Sequence, residues 1–131
     1  MIFDIFDHPS IGALVLRILL GSLLVIHGYP KLRRGQEQAM SWMESMGLPK
    51  VLVPLTVVLE FMGGIFILIG FLTPIVGILV VLEFAGIISQ GRKLGKKSRR
   101  DYELELFFLG GALAMIFLSA GSYSVDHLLG F

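Results

Sequence analysis

The sequence predicts an all-α integral membrane protein. Its expected form is a four-helix bundle with both termini outside and a short amphipathic interfacial helix between helices 1 and 2. Three observations lead there. The 131 residues are 55% hydrophobic and only 16% charged, too apolar for a soluble domain of one-domain length. Four apolar runs approach or reach bilayer length. Ten of the eleven Lys and Arg residues fall in just two of the connections between those runs.

The first span covers about Ser10 to His27 and is expected to stop before Pro30. A removable leader is not expected, because Asp4 and Asp7 precede this run where a signal peptide would carry basic residues. Between the first two spans, Ala39, Met40, Met43 and Met46 repeat at helical spacing, with Trp42 beside them and Gly47 and Pro49 following. That pattern predicts a short helix lying on the membrane surface. A methionine stripe of this kind packs rather than reacts.

The second span covers Val51–Gly70, with Pro54 in its opening turn, where a missing N–H costs little. The third starts at Thr73-Pro74, read as an N-cap followed by the first helical position, and continues to about Gln90. Only Phe71-Leu72 separates these spans, so they should form a tight antiparallel hairpin. The fourth covers Tyr102–Ala120. The whole chain, 1–131, reads as one transmembrane domain. Spans of ~18–20 residues cross a ~30 Å hydrocarbon layer at ~1.5 Å per residue.

Lys31, Arg33, Arg34 and Lys50 lie in the first connection. Arg92, Lys93, Lys96, Lys97, Arg99 and Arg100 lie in the third. The positive-inside rule puts both connections in the cytoplasm and makes this a multi-pass protein of the cell membrane. The run RKLGKKSRR reads as that topology signal beside anionic lipid, and nucleic-acid binding is set aside.

Three ionisable residues sit well inside spans: Arg17, Glu60 and Glu83, the two glutamates each within a copy of VVLEF. A charge at mid-bilayer costs ~2.5–3.5 kcal/mol on insertion scales, so such groups seek partners. Counted from the Phe71-Leu72 turn, both glutamates lie roughly 15–17 Å deep, and Arg17 about 12 Å below the start of its helix. The arithmetic predicts one guanidinium meeting two carboxyl groups, one of which holds a proton. A network that only fixes helix register is the alternative. Gly63, Gly64, Gly86 and the Gly110/Ala114 pair are expected to allow close packing.

A second polar group gathers at the cytoplasmic ends: His27, Tyr29 and Lys31 with Tyr102, Glu103 and Glu105. Histidine with tyrosine or an acid suits a quinone headgroup, although a membrane histidine alone more often hydrogen-bonds across helices. Asp7-His8 and Asp126-His127 could share a metal, but nothing in their spacing requires it and no metal is expected. With no cysteine, disulfides, thiol relays and Cys-ligated metals are excluded, so redox chemistry needs a bound cofactor or a partner. Phosphate loops, dinucleotide fingerprints and nucleophile elbows are also missing from the sequence.

The pattern LxLRILLGSLLVIHGYPKL (Leu14–Leu32) resembles the first helix of the DoxX family. The resemblance continues in Leu59-Glu60-Phe61-Met62-Gly63-Gly64, Gly70, and Tyr102-Glu103-Leu104. It ends in GSYSVDHLL (Gly121–Leu129), similar to the family's GxxSLDxLL. It implies a four-helix membrane protein associated with respiratory or sulfur redox chemistry; the archaeal relative DoxD is a subunit of thiosulfate:quinone oxidoreductase. By position, Arg17, His27, Lys31, Glu60 and Glu103 match the family's polar residues, whereas Glu83 has no confident match. Quinone is the cofactor this implies, and other membrane or redox subunits are the partners, with a homo-oligomer also open. Two alternatives stand beside a quinone-linked subunit: a non-catalytic anchoring or assembly subunit, and a small proton-coupled transporter.

Overall fold

The computed structural model describes residues 4, 7–33, 36–45, 47, 49, 51–94 and 103–131. The described residues form helices α1 (Pro9–Arg33), α2 (Gln36–Ser45), α3 (Leu52–Ile69), α4 (Thr73–Leu94), α5 (Glu103–Leu118) and the single turn α6 (Val125–Leu128). Among them there is no strand. Three helices are long and apolar enough to cross a membrane: α1, α3 and, over Thr73–Gln90, α4. The fourth expected span appears as α5, apolar but only 16 residues long, about 24 Å by helical rise. Tyr102, where that span was expected to begin, lies outside the described residues.

α1 runs through Pro30 to Arg33 rather than stopping before it, which corrects the expected boundary. The proline removes one hydrogen bond, to the carbonyl of Ile26. That loss falls in the last turns of the helix, where the chain leaves the apolar layer and water can serve the freed carbonyl. α2 falls where the surface helix was expected, and Met40 from its stripe packs on Val53 and Val57. The side chains of Ala39, Trp42 and Met43, and all of Met46, lie outside the described residues.

The α3–α4 connection is the expected tight hairpin. Gly70 closes α3 in the left-handed region at φ 74°, with its N–H bonded to Ile67 O and Phe71 N–H bonded to Phe66 O. This is the two-bond helix stop that favours glycine. Leu72 also has positive φ, so the chain reverses within a few residues.

Leu20, Leu24, Ile67, Val80, Phe84, Phe108, Ala112 and Met115 fill the centre of the bundle, with the Phe84 and Phe108 rings 4.9 Å apart. Ile11, Val15, Ile18, Leu55, Leu82 and Phe117 point outward. Helices apolar on both faces suit a lipid solvent, where close backbone packing rather than water exclusion holds helices together.

The closest crossing is between α1 and α3. A Cβ on Gly21 would sit 2.7 Å from Gly64 O, and one on Gly64 would sit 2.9 Å from Gly21 O. A Cβ on Gly28 would sit 2.9 Å from the Glu60 Cβ. α4 meets α5 at Gly77, whose added Cβ would lie 3.1 Å from Ala112 O. Of the small residues expected to pack, Gly64 does so and Gly63 is snug against Val76 at 3.3 Å. Gly86 and Gly110 do not, since an added Cβ on either meets nothing within 4 Å. Spacing marks small residues, but only the direction each faces decides which are contacts.

The antiparallel sequence of α1, α3 and α4 puts Lys31, Arg33, Arg92 and Lys93 at one end. The two ends of the chain meet at the other, where Ser10 Oγ lies 3.0 Å from Ser122 Oγ and accepts from Ser122 N–H at 3.2 Å.

Gly21→Val and Gly64→Val are therefore expected to lower stability by at least ~1–3 kcal/mol through overpacking against backbone. Gly86→Ala and Gly110→Ala should be neutral or stabilising by up to ~1 kcal/mol. Unfolding by denaturing detergent, followed by circular dichroism, measures both pairs. Equal effects in the two pairs would contradict the α1–α3 crossing.

Candidate functional site

Two separate polar clusters occupy opposite ends of the bundle. One, at the end where the two ends of the chain meet (called outer for the orientation that the positive charges predict), is built around Arg17, which is 1% exposed. Its guanidinium donates through Nη1 to Leu68 O at 3.2 Å and through Nη2 to Tyr123 O at 2.6 Å. Gly70 lies directly against it, and any Cβ there would collide with the guanidinium and with Ser124. Asp126, 5% exposed, supplies the nearby negative charge. The Asp126 carboxylate accepts from Leu72 N–H at 2.7 Å and Thr73 N–H at 3.0 Å, while its own N–H donates to Gly70 O at 2.8 Å.

Asp126 therefore caps α4 from the other end of the sequence. The sequence expectation that Thr73 caps α4 with its side chain does not hold; its Oγ1 is buried without a partner among the described residues. The reason is competition: a carboxylate takes both free N–H groups of the turn and stands at the positive end of the helix dipole. α6 is itself started by Ser124, whose Oγ accepts from His127 N–H at 3.2 Å and donates to Gly121 O at 2.6 Å.

The inner cluster joins α1, α3 and α4. Lys31 Nζ donates to both oxygens of Glu60 at 3.0 Å each. Glu60 is 1% exposed and the Lys31 side chain 26%, so the pair reaches from the apolar interior toward the basic end. His27 Nε2 lies 3.4 Å from Lys31 Nζ, and the His27 ring packs on Phe108 at 5.7 Å. Glu83, on α4, lies close enough to Glu60 for the two carboxyl groups to repel each other, with Lys31 further off. Both Glu83 oxygens are buried, and neither has a donor among the described residues.

This corrects the expected grouping of Arg17 with Glu60 and Glu83. The two glutamates do meet, but their cation is Lys31. Gly28 sits level with Glu60 in the α1–α3 crossing. By helical rise Arg17 is about 16 Å from that level and Lys31 about 4.5 Å. Side-chain lean completes the separation, because helical side chains tilt toward the N-terminus. Arg17 leans toward the outer end and away from Glu60, whereas Lys31 leans into the bundle. Glu60, on the antiparallel α3, leans to meet it.

The other candidates at the basic end divide. Tyr29 is exposed, its hydroxyl accepting from Arg33 Nη1 at 3.3 Å. Glu103 is exposed and Glu105 half-buried at the start of α5. Tyr102 lies outside the described residues. Of that group, Lys31 reaches the buried Glu60 and His27 lies beside Lys31.

Beside Glu83, between α3 and α4, lies a groove of about 590 Å³. Leu59, Leu79, Leu82 and Ile87 form its apolar walls; Thr56, Ser89 and Gln90 are polar. Glu83 lines it while its carboxyl oxygens are tucked toward Glu60.

A helical membrane protein with a three-helix charge cluster beside a lipid-side groove is the class these features define. The chain belongs to the DoxX family, whose model matches residues 12–90, a stretch that contains Arg17, His27, Lys31, Glu60 and Glu83. It is 34% identical over 123 residues to "Inner membrane protein YqjF" of Escherichia coli (strain K12), covering 92% of this chain and 93% of that one. It is 35% identical over 79 residues to "Putative oxidoreductase CatD" of Bacillus subtilis (strain 168), covering 60% of this chain and 58% of that one. No solved structure matches the chain.

Removing the Asp126 carboxylate should cost about 1–2 kcal/mol for the lost cap alone, so Asp126→Ala is expected to destabilise more than Asp126→Asn, which keeps one acceptor. Arg17→Met should release the C-terminal segment, which Arg17 ties through Tyr123 O to the Leu68 end of α3. Faster amide exchange over residues 121–131, read by mass spectrometry, checks it; unchanged exchange there would show that Arg17 does not hold the segment.

Proposed function

We propose that this DoxX-family protein is a cell-membrane component of quinone-linked redox chemistry, and that the α3–α4 groove receives the ring of a quinone. The observation that carries this reading is the groove itself. Its volume of about 590 Å³ lies within the ~300–1,000 Å³ range of ligand sites, and it combines apolar walls with a few polar groups. It opens toward the lipid, where Leu79 and Leu82 are exposed, so a lipophilic carrier can enter sideways from the bilayer. The names of the two relatives agree with a membrane setting and an oxidoreductase association.

A bound quinone supplies two-electron, two-proton carrier chemistry that this cysteine-free chain has no side chain to perform. The chain's part is to hold the ring and to manage protons. Leu59, Leu79, Leu82 and Ile87 give the apolar contact, Ser89 and Gln90 offer hydrogen bonds near the basic end, and Glu83 stands at the inner wall. Electrons come from a partner subunit or a diffusing reductant, which agrees with a subunit role rather than a free-standing enzyme.

The topology proposed with it follows the positive charges: α5 serves as the fourth span. The end carrying Lys31, Arg33, Arg92 and Lys93 faces the cytoplasm, with both termini outside.

Purification in mild detergent followed by solvent extraction should recover quinone with the protein above the level of empty micelles. Gly86 lines the groove, and an added Cβ there meets nothing within 4 Å. Gly86→Phe should therefore place a ring in the groove and abolish retention. Quinone at empty-micelle level with the natural protein, or full retention by the variant, would overturn the groove as the binding site.

A further inference from the structure

We propose that Glu60 and Glu83 together form a one-proton site whose occupancy is set by Lys31 and whose proton exchanges through the basic end of the bundle. The inference concerns the same cluster as the reading above but does not need a quinone to be bound.

The argument starts from a charge count. Lys31 Nζ contacts both Glu60 oxygens at 3.0 Å, so Glu60 is the group neutralised as a carboxylate. Glu83 neighbours Glu60, and its two buried oxygens have no donor among the described residues, while Lys31 is spent on Glu60. Two bare carboxylates in contact repel each other, and one ammonium cannot serve both in apolar surroundings. A proton on Glu83 resolves both problems: the neutral acid donates to Glu60, and the cluster of one ammonium, one carboxylate and one acid has no net charge. Losing that proton would leave one uncompensated negative charge inside the bundle, which is why the site holds it at neutral pH.

The groups facing this pair from each packed element support the count. α1 presents His27 and Lys31, α3 presents Glu60, and α4 presents Glu83. Arg92 and Lys93, further along α4, are exposed. From α5, half-buried Glu105 comes nearest, one turn from the Phe108 that packs on His27. α2 contributes only the exposed Glu37 and Glu44. Arg17 is committed at the far end to Leu68 and Tyr123.

Direction follows from burial. Leu24, Ile67 and Val80 are fully buried between the pair and the outer end, with no polar group among them to pass a proton. On the other side, the partly exposed Lys31 and His27, 3.4 Å apart, connect Glu60 to the basic end. A proton therefore moves between Glu83 and Glu60 and leaves past Lys31 and His27, with no covalent change in the protein. Any groove ligand that takes up or releases a proton would exchange it with the same end.

The test is infrared spectroscopy of quinone-free protein in lipid nanodiscs, with carbon-13-labelled glutamate to separate glutamate from aspartate bands. The natural protein at neutral pH should show the carbonyl stretch of one protonated buried glutamate, sensitive to deuterium. Glu83→Gln should remove it. Lys31→Met should raise the count to two, because the ammonium in contact with Glu60 is gone, and Lys31→Arg should keep it at one. A natural protein with no protonated glutamate, or a band untouched by Glu83→Gln, would overturn the proposal. If Lys31→Met fails to fold, Glu83→Gln and Lys31→Arg still decide it. Because no quinone is present, a correct band pattern with no quinone retention would sink the ligand reading alone.

Discussion

The cost of a charge in hydrocarbon is the constraint on which the rest of this structure depends. Glu60 is almost wholly buried in an apolar helix, and it is tolerable there only because Lys31 reaches both of its oxygens. That contact requires α1 and α3 to come unusually close. Gly28 at the level of Glu60, and Gly21 against Gly64 two turns outward, provide the approach. The close crossing and the ion pair support each other: without the glycines the ammonium cannot reach, and without the ammonium the crossing would enclose a bare carboxylate. The hairpin then delivers Glu83 to the same place, which turns a paired charge into an unbalanced trio beside a groove.

At the other end the same constraint is met differently. Arg17 is satisfied by backbone carbonyls of Leu68 and Tyr123 and by the field of Asp126, so a segment far along the chain is folded back over the bundle. Asp126 in turn satisfies the N–H groups that open α4. This end is tied together by hydrogen bonds from Arg17 and to Asp126, and Gly70 is packed too tightly against Arg17 and Ser124 to admit a side chain. The inner cluster keeps unmatched oxygens and a neighbouring cavity.

Much of this was legible in the sequence. Apolar runs, turn residues and the placement of lysine and arginine mark the helices, the hairpin and the surface helix, because those features depend on local pattern. The meeting of Glu60 and Glu83 was also legible, since a short hairpin forces equal depth. The identity of their cation was not. Counting rise along separate helices gave Arg17 a depth close enough to pair, but it ignored the lean of side chains toward helix N-termini and the register that Gly28 sets between α1 and α3. Attending to lean alone would have favoured Lys31. The capping of α4 by Asp126 had no such local signal; Thr73-Pro74 looked sufficient, and only the folded chain shows a carboxylate fifty-three residues away taking both N–H groups. Gly86 and Gly110 failed as contacts for a related reason, as spacing does not say which way a helix face turns.

The central claim is that the buried glutamates are served by Lys31 and not by Arg17. Solid-state NMR distance measurement in lipid bilayers, between nitrogen-labelled lysine or arginine side chains and the labelled Glu60 carboxyl carbon, tests it directly. The account predicts that Lys31 Nζ is in direct contact, consistent with nitrogen–oxygen distances of 3.0 Å, and that no arginine signal couples to Glu60. Coupling from Arg17 to Glu60, with Lys31 remote, would contradict it.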